Sequence, residues 1–115
     1  QEAGQHVLPN GWTAPERAVP AGGSFDVDFA SAACWVFRRR EHERLGGFDP
    51  VFHPAYFEDA DLALRAHALG GRTVVHGGAR LTHHRGGGTS ETPEPIEQHR
   101  AFAHRHLRGP IGSIT

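Results

Sequence analysis

The 115-residue chain has no methionine, no lysine, one cysteine and no apolar run long enough to cross a bilayer. Each shortage excludes something. A lone thiol, Cys34, cannot close an internal disulfide, so the fold does not depend on an oxidising compartment. With no spanning stretch and no charged-then-apolar leader to read, the cytoplasm is the expected location. A formal charge of -1 gives no reason to expect capture by nucleic acid or anionic lipid. No H-E-x-x-H, paired C-x-x-C, Walker lysine loop or G-x-S-x-G occurs. What the chain does hold is 15 glycines and 10 histidines. At this length it is one small domain at most. Its opening, Gln1-Glu2-Ala3-Gly4-Gln5, has no start methionine and reads as the middle of a longer protein.

Residues 1–24 carry Pro9, Pro15 and Pro20 and the turn signals Asn10-Gly11 and Gly22-Gly23, which predict a loop-rich lead-in. Phe25, Val27 and Phe29 alternate with Asp26 and Asp28, the period of a strand, and a second extended or buried piece is expected over 32–37. Arg38 to Leu45 predicts a short helix ending on Gly46. Glu58-Asp59-Ala60-Asp61 opens an amphipathic helix through Leu62, Leu64, Arg65 and Leu69 that stops at Gly70-Gly71. Short strands follow at 72–75 and 79–82, then a glycine-rich loop at 85–95. A final helix over 96–107 has Ile96, Ala103 and Leu107 partly on one side. Residues 108–115 form a tail. Strands alternating with helices indicate an α/β class, with too few strands for a complete nucleotide-binding sheet. Half a domain would leave apolar residues such as Trp35, Val36 and Phe37 uncovered, and self-association of that flank is expected.

The chemistry concentrates at the start of the 58–69 helix. First-turn N–H groups and the helix dipole stabilise an ionised carboxylate, and a placed, ionised carboxylate is what a general base needs. The plain alternative is a solvated helix start, with Asp61 supported by Arg65 four residues on. Tyr56-Phe57 precede the acids, and aromatic rings beside carboxylates suit a sugar. Gly46-Gly47-Phe48-Asp49 lies a short loop upstream, where a backbone without Cβ atoms can approach a ligand. His83 and His84 are adjacent. On a strand they point to opposite faces, so both cannot ligate one metal without distortion. The other histidines show no ligand spacing, and those at 99, 104 and 106 are expected on a solvated helix face.

Gly46-Gly47-Phe48-Asp49 followed by Tyr56-Phe57-Glu58-Asp59-Ala60-Asp61-Leu62 resembles the acceptor side of bacterial inverting family-2 glycosyltransferases of the GT-A fold. The resemblance covers about residues 1–107. It departs from the family pattern at Ala32, where glycine is usual, at His42, where an apolar residue is common, and at Pro50, where Glu is more usual. It implies that 25–107 is the acceptor-side, C-terminal half of a GT-A domain, with short mixed strands and about three helices, incomplete alone. The nucleotide-binding half and its D-x-D metal motif are missing. Asp26-Val27-Asp28 and Asp59-Ala60-Asp61 spell D-x-D in the wrong places, Asp28 matching instead an acid that opens the strand toward the acceptor side.

By the same resemblance Asp59 is the catalytic base. It takes the acceptor hydroxyl's proton as that oxygen displaces the nucleotide from a nucleotide-sugar donor. Glu58 binds the acceptor, with Tyr56, Phe57, Gly47 and Asp49 around it. His83, with His84 as fallback, helps hold a divalent cation, Mn²⁺ or Mg²⁺, on the donor diphosphate. Asp61 is expected to point elsewhere, so that Asp61→Asn should retain much more activity than Asp59→Asn. The implied function is sugar transfer to a glycan or lipid-linked acceptor in surface polysaccharide synthesis, in the cytoplasm or at the inner face of the membrane, by the complete parent protein. The 115 residues alone are expected to be inactive. The competing classes are a non-catalytic sugar- or protein-binding remnant and a histidine-rich metal-binding module.

Overall fold

A computed structural model describes residues 3–16, 22–84 and 94–107. The expected loop at 85–95 lies outside the described residues up to 93, as does the tail from 108. The elements run β1 (Gln5–Val7), β2 (Thr13–Pro15), β3 (Ser24–Val27), α1 (Arg39–Leu45), a 3₁₀ turn (Pro50–Phe52), α2 (Glu58–Ala68), β4 (Thr73–His76) and α3 (Ile96–His106). The class is α/β, and among the described residues every strand pairing is antiparallel, not mixed.

The lead-in is not loop. β1 and β2 form a hairpin, with His6 opposite Ala14, around the Asn10-Gly11 turn. Gly11 has φ +87°, a conformation glycine adopts without penalty, and the Trp12 N–H donates to the Asn10 side chain at 3.0 Å. The prolines fooled the composition argument because Pro9 sits in the turn and Pro15 ends a strand, where no ladder hydrogen is needed. The hairpin is tied to the strand that follows through Gln5, whose N–H donates to the Phe29 carbonyl at 2.8 Å. β3 pairs with β4, Phe25 opposite Val75.

Residues 32–37 form no strand among the described residues, and nor do 79–82. Ala32, Ala33, Cys34, Val36 and Phe37 are exposed, so apolar content alone did not make this stretch core. The three helices fall where periodicity and capping placed them. Gly46, at φ +81°, closes α1 in the left-handed conformation.

One core cluster gathers Phe29, Phe52, Phe57, Ala60, Ala63 and Phe102, with Val7, Trp12, Leu64 and Ala101 against it. It joins the hairpin, the 3₁₀ turn, α2 and α3. On α3 the inward residue is Phe102, fully buried, whereas Ile96 is half exposed. The same face carries His99, whose ring lies flat on Trp12 with centroids 3.8 Å apart. His99 and His106 are thus packed, not solvated as expected, because an imidazole can fill an apolar face and spend its nitrogens on one partner. No helix among the described residues is long and apolar enough to cross a membrane.

Candidate active site at the start of α2

The chain enters α2 through a strained corner. Tyr56 and Phe57 both have positive φ, +79° and +69°. Two successive non-glycine residues in that region cost about 1–3 kcal/mol each and persist only where the surroundings hold them. What holds this corner is the Phe57 ring, buried against Phe102 (centroids 5.1 Å) and Trp12 (5.8 Å). Phe57 is therefore a core residue and offers no open face to a ligand. Tyr56 is half exposed beside it.

Immediately after the corner stand Glu58 and Asp59, both partly buried. One Asp59 oxygen accepts the Ala60 N–H at 2.8 Å and the other accepts the Ala32 N–H, across from the 30–35 segment, at 3.3 Å. Burial, and then the negative charge of Glu58, push the Asp59 carboxyl up to about 6 against the pull of those two N–H groups. This reverses the expectation that the helix start would favour its ionised form. Desolvation and a like charge outweigh the backbone N–H donors here. At neutral pH the group is still mostly ionised, with a basicity far above that of an ordinary aspartate. Glu58 contributes a second feature: its Oε2 is enclosed and has no hydrogen-bond partner among the described residues. An orphaned, enclosed acceptor calls for a donor.

Asp61, two residues on, is fully buried and has a different task. One oxygen accepts Arg65 Nε at 2.9 Å; the other accepts Arg105 Nη1 at 2.9 Å and His106 Nε2 at 2.7 Å. Burial raises this carboxyl, but the His106 and Arg105 hydrogen bonds and the Arg65 charge overcome that and leave it below the usual range. The helix start is thus not a solvated run of acids, and Asp61 points into a buried ion-pair network.

The same network explains the Gly-Gly-Phe-Asp turn. Arg65 donates from its other nitrogens to the carbonyls of Leu45, at 2.6 Å, and Gly47, at 2.7 Å. Asp49 caps the 3₁₀ turn by accepting the Val51 N–H at 2.9 Å and pairs with Arg105 Nη2 at 2.7 Å. Its carboxyl is held below the usual range, first by the Val51 N–H and then by Arg105. Gly47 and Asp49 therefore brace α2 and α3 against each other, with their polar groups already engaged. The reach of Arg105 and His106 back to Asp61 had one sequence signal, a basic last turn on the final helix; nothing local named the partner.

Asp26 and Asp28 are engaged within the fold as well. Asp26 pairs with Arg72 at 2.7 Å on the surface, and Asp28 accepts the Val7 N–H at 2.8 Å. His83 and His84 are exposed, and no group of three or more His, Cys, Asp or Glu able to hold a metal occurs among the described residues. Tyr56, Glu58 and Asp59 stand together at one corner as chain neighbours.

No family model matches the chain, and neither a curated protein nor a solved structure matches it.

Proposed function

We propose that this chain is the acceptor-binding part of an inverting glycosyltransferase, with Asp59 as general base and Glu58 as acceptor ligand. The observation that carries the reading is the acid pair itself. A half-buried carboxylate pushed up to about 6 stands beside an enclosed carboxylate oxygen that lacks a donor. A sugar hydroxyl donating to Glu58 would satisfy that oxygen, and a neighbouring hydroxyl placed on Asp59 could give up its proton as it attacks the donor. Inversion by one in-line displacement requires one base, so no second catalytic carboxyl is needed. Exposed Tyr56 supplies an aromatic face at the same corner. A divalent cation on the donor diphosphate would draw on His83 or His84 together with ligands from a nucleotide-binding half, since one imidazole is not a site.

The test is sugar transfer from a nucleotide-sugar by the polypeptide that joins this chain to its nucleotide-binding half. Asp59→Asn should lower the rate by about 10²–10⁴ with the fold and donor binding retained. Glu58→Gln should act mainly through KM for the acceptor. Asp61→Asn is no control, because it removes the buried node of the α2–α3 network; Asp26→Asn, on the surface pair with Arg72, serves instead. Transfer by Asp59→Asn at close to the wild-type rate would return the acid pair to a charged helix start.

A further inference from the structure

Some of the apolar side chains left outside the core lie next to one another. Trp35, Phe37, His42 and Phe48 form a cluster: Phe37 stacks on His42 with centroids 4.9 Å apart, and Trp35 lies 5.7 Å from Phe48 and 6.1 Å from Phe37. The cluster is anchored at one end, where Trp35 Nε1 donates to the Ala30 carbonyl at 2.8 Å. Its outer side is open. Val36 is 99% exposed and Phe37 53%. Arg38, Arg39 and Arg40 follow directly, all exposed. Among the described residues the arginine ion pairs use Arg44, Arg65, Arg72, Arg100 and Arg105 and none of this triplet, while Glu41 and Glu43 follow on the same helix.

We propose that the Trp35–Arg40 face is a docking surface for an anionic lipid bilayer. Rings and a valine that can enter the headgroup boundary, next to several arginines, are the two signals that together give surface binding. The chain's net charge of -1 does not oppose this, because charges beyond about 8–10 Å are screened at ordinary ionic strength, and residues 38–44, with four arginines against Glu41 and Glu43, keep a local excess of two positive charges. Charge also argues against a second copy as occupant. A two-fold contact sets a patch against itself, and here that would bring the arginine triplets together. This inference is independent of any role for Asp59.

The experiment is co-sedimentation of the 115-residue chain with phosphatidylcholine vesicles, with and without phosphatidylglycerol. Binding should require phosphatidylglycerol and be released by high salt. Trp35 emission should shift to the blue on binding, a change lost in Trp35→Phe although Trp12 remains. Replacing Arg38, Arg39 and Arg40 together by Ala should weaken partitioning about a hundredfold. Phe37→Ser should weaken it with the charge unchanged. All five residues lie outside the core, and a wild-type circular dichroism spectrum for each variant excludes unfolding as the cause. Absent binding by the folded chain, equal binding to both vesicles, or a dimer in sedimentation that buries Trp35 would overturn the proposal.

Discussion

Replacing Asp59 and Asp61 by Asn should move stability in opposite directions, although the two carboxyls are two residues apart on the same turn. Raising Asp59 from 3.8 to about 6 means that its ionised form opposes folding by up to about 3 kcal/mol, at ~1.4 kcal/mol per pH unit. Partial exposure reduces that figure. Asparagine also presents one oxygen to the two N–H groups of Ala32 and Ala60, a loss of about 1 kcal/mol. Asp59→Asn should therefore stabilise the chain at neutral pH by about 1 kcal/mol, or about 4 °C in Tm. Asp61→Asn leaves Arg65, Arg105 and His106 facing a neutral amide in a buried place, and breaking a buried charge network costs about 3–5 kcal/mol. The partial exposure of Arg105 puts the expected loss near the lower end, about 3 kcal/mol or 12 °C.

The pH dependence distinguishes them further. The folded pKa of Asp59 lies above its unfolded value, so the native state holds the extra proton between 3.8 and about 6. Its contribution favours the fold at low pH and is lost as pH rises through that window. The advantage of Asp59→Asn over the wild type should accordingly grow across the window and level off above it. Asp61 has the opposite sign. Its contribution is present above the ordinary carboxylate range and is lost as pH falls through its depressed pKa. Thermal melts by circular dichroism across this range, on wild type and both variants, read these differences directly. An Asp59→Asn variant less stable than wild type at neutral pH, or a difference flat across the window, would refute the reasoning.

Gly4, at φ +105°, has no room for a side chain: an added Cβ would come within 2.7 Å of the Val27 side chain. Gly4→Ala should destabilise by about 2–3 kcal/mol in a urea melt, through both backbone conformation and overpacking. Phe102→Ala empties the centre of the core and should cost about 3–5 kcal/mol, with loss of α3 helicity by circular dichroism. Calorimetric titration of the 115-residue chain with Mn²⁺ should show no tight stoichiometric binding, since one imidazole is not a site. Stoichiometric binding abolished by His83→Ala would instead establish a self-contained metal site.

Local rules carried the elements whose causes are local. The 3.6 period and the acidic first turn placed α2, strong helix formers and a terminal glycine placed α1, and alternation placed β3, because each depends on residues within a few positions of one another. The pairing of Asp59 with Glu58 was also legible, since it is a matter of adjacency. What the sequence could not settle were the balances struck across long separations. Whether Asp59 is helped or penalised as an anion depends on how deeply the 30–35 segment and the core desolvate it, and the outcome reversed the helix-dipole expectation. Asp61 looked like one more surface acid until Arg105 and His106, more than 40 residues on, came to lie against it. Phe57 looked like a ring for a sugar but belongs to the core. A side chain's type fixes what it can bond to. Tertiary structure decides which partners reach it and how much water they displace, and for a carboxylate that difference separates a structural brace from a reactive base.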